Sequence, residues 1–383
     1  MSKKTNKNAE KFVFEHFLLV FFVQFTENAY LCIVIYRFVE LKASSEMINR
    51  EIIRIKIVQL TYAYYQNGNK NIDTAEKELF FSLSKAYDLY NYLLSLITAV
   101  TKEAQRRYEV AQTRAKREGT AEPSSKFVYN RFALQLAENK QLNDFLSTQK
   151  LSWEEANVFI GQLFEKIEQS DIYQEYMASK EDNYECDREL WRKLYKTFFM
   201  NNDELDAILE DQSLYWNDDK EIVDTFVLKT IKRFKEQNGA KEELLPEWDS
   251  DEEKDYARKL FRAAILNDAQ YQRFMSEASR NWDFSRLAYM DVIIMQIAIA
   301  EIMTFPNIPI SVSINEYVDI AKLYSTRKSG GYINGMLDGI ARNLIQTGRL
   351  LKHMEPKKEK EHAKNNAEDQ QDPQKPKRQR IKK

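Results

Sequence analysis

The stretch Ile308-Pro-Ile-Ser-Val-Ser-Ile-Asn-Glu-Tyr-Val-Asp-Ile-Ala-Lys-Leu-Tyr-Ser-Thr-Arg-Lys-Ser-Gly-Gly-Tyr-Ile-Asn-Gly-Met-Leu-Asp-Gly-Ile-Ala-Arg342 reads as two amphipathic helices joined by a basic, glycine-containing turn. Ser313 followed by Glu316 has the spacing of a capping box, in which each side chain satisfies a backbone N–H of the first helical turn. Ile314, Tyr317, Val318, Ala321 and Tyr324 then recur at helical spacing, and Ile333, Met336, Leu337, Ile340 and Leu344 form the stripe of the second helix. Gly335 and Gly339 lie one turn apart on that second helix. Each destabilises a helix unless close backbone packing compensates, so a tight crossing with a neighbour is expected there. Five of the nine glycines lie between Gly330 and Gly348.

Upstream, Trp282-Asp-Phe-Ser-Arg-Leu-Ala-Tyr-Met-Asp-Val-Ile-Ile-Met-Gln-Ile-Ala-Ile-Ala-Glu301 leads into a helix apolar on nearly every side, expected over Phe284 to Met303 at the centre of a bundle. Asp291 inside it needs a hydrogen-bonding or cationic partner. Trp282 is expected as a core anchor. Near the other end, Ile48-Asn-Arg-Glu-Ile-Ile-Arg-Ile-Lys-Ile-Val-Gln-Leu-Thr-Tyr-Ala-Tyr64 predicts a helix that stops at Asn67-Gly68. Arg50 and Arg54 sit one turn apart on it, with Lys56 on a neighbouring face. Taken alone, these cations fit an ordinary solvated face.

Together the three stretches resemble the NusB family of bacterial transcription antitermination factors. The C-terminal resemblance rests on Ile-Pro ahead of the helix, Ile314-Asn315-Glu316, Ala321-Lys322 and Tyr332-Ile-Asn334-Gly335-Met-Leu-Asp338. The N-terminal one is similar to the family's arginine-rich first helix. The resemblance implies an all-α, multi-helix bundle of NusB-like type that binds boxA-type single-stranded RNA together with NusE, a ribosomal small-subunit protein, and so acts on the RNA polymerase elongation complex indirectly. It implies an RNA surface joining Arg50, Arg54 and Lys56 to Arg327, Lys328 and Tyr332, with guanidinium forks on phosphates and a base on the tyrosine. Asn315, Glu316, Asn334 and Gly335 take structural roles beside Trp282 and Asp291. Family members commonly carry an acidic residue, Ser, His and Lys before the aromatic, where this chain has Lys328-Ser-Gly-Gly-Tyr332. Contacts made by that His and Lys therefore do not carry over.

A long insertion separates the two halves. Residues 47–115 hold the first helix and a long second one expected from residue 73, 116–250 form a helical insertion, and 251–352 are the NusB-like C-terminal domain. Inside, Arg192-Lys-Leu-Tyr-Lys-Thr-Phe-Phe-Met-Asn201 aligns with Arg258-Lys-Leu-Phe-Arg-Ala-Ala-Ile-Leu-Asn267, and Trp216 with Trp282, at a constant offset of 66 residues. This predicts a partial internal duplication. Residues 353–383 have no apolar pattern and end in a basic run, Lys375 to Lys383, as expected of a disordered tail. Residues 1–46 carry two apolar runs broken by polar residues. Both fall short of the ~18–20 residues that cross a bilayer, and no small-residue cleavage site follows. Met47 is the expected natural start, and no membrane association is expected.

Net charge is −2, so any RNA site must come from local clustering. Scarce glycine and proline with 30% charged residues favour helices. Cys32 and Cys186 are isolated, which excludes a disulfide framework and zinc-type spacing and fits a cytoplasmic protein. The three histidines, His16, His353 and His362, all lie outside 47–352, which removes histidine base or metal chemistry from the body. Phosphate-binding glycine loops are absent. No enzyme, cofactor or metal is expected. The competing readings are a helical protein–protein scaffold without RNA binding and, against the helical character of the insertion, an RNA-modifying enzyme subunit.

Overall fold

The structure, a computed structural model, describes residues 46–352 apart from 69–70, 150, 280–287 and 327. The expectations for the N-terminal extension, the tail, Trp282 and Arg327 lie outside the described residues. Every regular element among the described residues is helical, and no strand occurs.

Helix α1 (Arg50–Gln66) begins at Asn49, whose side chain accepts from the backbone N–H of Glu51 and Ile52, and ends at Asn67, before Gly68 at φ +62°. Ile52, Ile53, Ile55, Ile57 and Val58 are all buried. Apolar residues at these positions leave no wide polar face, so α1 is enclosed on most sides rather than solvated along an arginine edge. Helix α2 (Ile72–Glu118) has 47 residues, about 70 Å of axis. Asn71 caps its start, and Gly119 at φ +67° closes it in the left-handed conformation that a Cβ would strain. α2 is the spine. It packs against α1 and also against the helices of the insertion.

The insertion runs through α3 (Arg131–Ala137), α4 (Lys140–Gln149), α5 (Asn157–Glu168), α6 (Asp171–Ala178), α7 (Tyr184–Leu194), α8 (Asp203–Gln212) and α9 (Lys220–Arg233). Trp153 fixes it to the spine. Its ring stacks on Tyr92 at 4.0 Å between centroids, and its Nε1 donates to the Tyr92 carbonyl and to Ser95 Oγ. The C-terminal part comprises α10 (Asp251–Leu266), α11 (Asp268–Ala278), α12 (Tyr289–Thr304), α13 (Ile310–Tyr324) and α14 (Ser329–Gln346).

The 66-residue offset read in the sequence reappears in the arrangement of helices. Shifted by that amount, α7, α8 and α9 fall on α10, α11 and α12. Core positions follow: Leu190 and Tyr256, Leu194 and Leu260, Phe199 and Ile265, Leu209 and Met275, and Ile231 and Ile297 are buried in both segments. A wide π-type turn at Tyr195–Phe199 ends α7 where α10 stays regular.

Two local expectations are corrected. Ser313 and Glu316 form no capping box, because α13 begins one turn earlier, directly after Pro309, whose fixed φ of −59° already suits a helix start. Gly335 and Gly339 do not mark a tight crossing, since a Cβ at either would meet nothing within 4 Å. They lie off the stripe Ile333, Met336, Leu337, Ile340 and Leu344 that α14 buries. The close approach of α13 and α14 is at Gly330, where a Cβ would touch Lys322 and Val318 at 3.5 and 3.6 Å. Asn315 and Asn334 are exposed, as is Gly335.

Candidate nucleic-acid interface

Arg54 is a core residue. Its Nε and Nη2 donate to the two carboxylate oxygens of Glu301 at 2.9 and 3.2 Å, and Nη1 donates to Glu316 at 3.2 Å. Glu301, fully buried on α12, also accepts from Ser313 Oγ at 2.7 Å, from Tyr317 OH at 3.1 Å and from Tyr256 OH. Burial alone would push this carboxyl up. The Arg54 guanidinium and the surrounding hydroxyls outweigh it and hold the group below its ordinary value. One buried ion pair thereby fastens α1, α10, α12 and α13 together. Arg54 and Glu316 are thus part of the framework, and Arg54 is corrected as an RNA contact: its donors are consumed inside the protein.

Lys56 is corrected in the same way. It is buried, with Nζ 2.6 Å from Asp219 and 3.4 Å from the Tyr215 carbonyl, and it ties α1 to the insertion. Burial pushes the Asp219 carboxyl up to about 6, with Lys56 pulling the other way. Arg50 is partly exposed. It pairs with Glu253 at 3.2 Å and Glu252 at 3.6 Å and lies over the Tyr256 ring at 5.0 Å.

The two halves of the expected surface are separated. α1 runs parallel to α13, since Arg54 meets Glu316 and Gln59 Nε2 meets Tyr324 OH at 3.1 Å. The turn that carries Lys328 follows Tyr324, so it lies towards the far end of α1 from Arg50. Twelve residues separate Arg50 from Tyr62, about 18 Å of helix.

At that far end the structure brings together groups that the sequence reading missed. Tyr62 of α1 and Tyr289 at the start of α12 are exposed (36% and 44%), with ring centroids 5.6 Å apart. Asp291, two residues along α12 and buried, accepts from Ser329 Oγ at 2.9 Å, which brings the start of α14 to the same end of the bundle. Ser329 in turn contacts Thr326 Oγ1 at 2.8 Å and Ser325 Oγ at 3.1 Å, holding the turn. Lys328, immediately before α14, is exposed. Tyr332 is half-buried, and burial followed by the Asp291 charge raises its phenol. The only sequence signal for the aromatic pair was Tyr62 and Tyr289 each sitting beside a motif already singled out, without any periodicity to join them.

Comparison with known proteins bears on the same helices. The model of the NusB family matches residues 225–342, from within α9 to within α14. The transcription antitermination protein NusB of Salinibacter ruber is 31% identical over 132 residues, covering 33% of this chain and 82% of the relative. That of Natranaerobius thermophilus is 45% identical over 78 residues, 20% of this chain and 56% of the relative. That of Chloroherpeton thalassium is 37% identical over 99 residues, 26% and 47%. The chain thus spans about half the length of the latter two. No solved structure matches the chain. With most of the Salinibacter relative covered at that identity, and with an all-helical body in which α1 is locked onto the matched helices through Arg54, the chain belongs to the NusB family of transcription antitermination proteins.

Proposed function

We propose that this protein is an RNA-binding antitermination factor that takes boxA-type single-stranded RNA together with NusE, and that the RNA crosses the end of the bundle carrying Tyr62, Tyr289 and Lys328. The observation that carries this reading is the exposed tyrosine pair at the end of the bundle that the turn into α14 also reaches through Ser329 and Asp291. Single-stranded nucleic acid is held by bases stacking on aromatic faces and by cations tracking the backbone, and each stacked base contributes about 1–3 kcal/mol. Tyr62 and Tyr289 offer the faces, and Lys328, with Arg327 next in sequence, offers charge. Arg50 sits about 18 Å along α1 and would meet a more distant phosphate.

An electrophoretic shift assay with boxA RNA, with and without NusE, tests the reading. The Tyr62→Ala/Tyr289→Ala protein should bind at least about tenfold more weakly while keeping its melting temperature, since both rings are exposed. Lys328→Ala should lower the salt dependence by about one phosphate contact. RNA affinity unchanged in the double tyrosine variant overturns the proposed path. A wild-type protein that binds neither RNA nor NusE favours the scaffold reading.

A further inference from the structure

A cleft of about 450 Å³ opens where the second half of α1, the first turns of α2 and the insertion's Leu214–Trp216 turn meet. Its walls are apolar: Leu60 and Ala63 from α1, Ala75 from α2, and the strongly exposed Leu214 from the insertion. Two carboxylates, Glu78 and Asp218, border it. Glu78 is held by the Tyr215 hydroxyl, and Asp218 by Gln59 Nε2 at 3.3 Å. Among the described residues neither carboxylate has a cationic partner within ion-pair distance. Lys56 also borders the cleft, but its charge is matched by Asp219 at 2.6 Å. Ser82 lines the same space, 1% exposed, and its hydroxyl has no hydrogen-bond partner. A buried hydroxyl left unsatisfied is unfavourable, and in native structures such groups are few.

We propose that this cleft receives an arginine side chain presented by a basic protein segment. Two carboxylates satisfied only by neutral donors leave a local negative charge, which repels phosphate and attracts a cation. A guanidinium presents five N–H donors in a planar fork, so it can serve Glu78, Asp218 and the Ser82 oxygen together, while its methylene stem lies along Leu60 and Leu214. A free metal ion does not fit: among the described residues no group of three or more His, Cys, Asp or Glu is placed to hold one. The site uses residues of the insertion and none of Tyr62, Tyr289 and Lys328, so it stands or falls separately from the RNA path.

The test is methyl NMR on the full chain labelled at Leu and Ala, titrated with the blocked tripeptide Gly-Arg-Gly and its citrulline counterpart, which keeps shape and loses charge. The arginine peptide should shift the methyls of Leu60, Ala63, Ala75 and Leu214 in a saturable way, and the citrulline peptide should bind about tenfold more weakly. Asp218→Asn, at an exposed position that tolerates change, should weaken the arginine peptide about tenfold, and Ser82→Ala several-fold, with boxA affinity unchanged. Equal response to both peptides, unchanged affinity in Asp218→Asn, or the same methyls answering to adenosine instead, overturns the proposal.

Discussion

Replacing Arg54 by Met separates a structural arginine from an RNA-binding one. The variant keeps most of the side-chain volume but leaves Glu301 as a fully buried carboxylate facing only the hydroxyls of Tyr256, Ser313 and Tyr317. Removing one partner of a buried pair costs about 3–5 kcal/mol, because the other charge stays desolvated. For a body of this size each kcal/mol moves the midpoint by about 2–4 °C, so the melting temperature should fall by roughly 6–20 °C. The acid limb gives an independent sign. In the wild type the Glu301 carboxyl is held below its ordinary 4.5, so its contribution is present above that value and is lost as pH falls through the folded value. Without Arg54, burial dominates and raises the carboxyl, so the variant should instead lose stability as pH rises through the carboxylate range. Calorimetric scans from about pH 2 to 8 on the wild type, Arg54→Met, Glu301→Gln and the double variant read both effects, and the double should cost clearly less than the sum of the singles. A melting temperature within about 2 °C of wild type, with boxA affinity reduced, would refute the keystone and return Arg54 to an RNA role.

Three further outcomes follow from the packing. Gly335→Ala and Gly339→Ala place a methyl in open space on a helical backbone, so each should stabilise by about 0.5–1 kcal/mol in urea unfolding, and loss of NusE binding in either would mark that face as a docking surface. Gly119→Ala forces a Cβ into the left-handed conformation at the end of α2 and should cost about 1 kcal/mol, read by the same denaturation. Trp153→Ala removes the stack on Tyr92 and should cost about 3–5 kcal/mol, with loss of near-ultraviolet circular dichroism as the insertion loosens from the spine.

Helix existence was legible because the signals were local. The first helix stops at Asn67-Gly68 as its sequence indicates, the long second one starts within a residue of the expected position, and the stripe from Ile333 to Leu344 is the face that α14 buries. What failed was partner choice. Ser313 and Glu316 have the spacing of a cap, yet both turn to the Arg54–Glu301 pair, across 12 to 262 residues of sequence. Arg50 and Arg54 share a face of α1, but that face is covered at Arg54 by α12 and α13 and reached at Arg50 by α10. Helical spacing reports which residues are neighbours on one cylinder. It carries no information on what stands opposite, and for a charged residue the opposite side decides between phosphate contact and core ion pair. The tyrosine pair was invisible for the same reason, since Tyr62 and Tyr289 lie on different helices.

At the 66-residue offset, only the C-terminal segment offers the carboxylate that pairs with Arg54. The apolar positions of α7 to α9 and α10 to α12 agree, although α2 is met by α9 in the first segment and by α10 in the second. The position equivalent to Glu301, however, is Lys235, and the α9 segment therefore lacks the acceptor that draws in Arg54. The α1 helix has one buried guanidinium and a single carboxylate able to take its fork, which fixes its register on α12 and α13 rather than on the first copy. Specificity of docking here comes from a polar pair inside an apolar interface, since burial of isoleucines alone would be nearly indifferent between two similar surfaces. Lys56 sharpens the choice. Two residues beyond Arg54, it reaches Asp219 at the entrance to α9, so α1 is pinned to both copies at once, by opposite sides of the same helix turn.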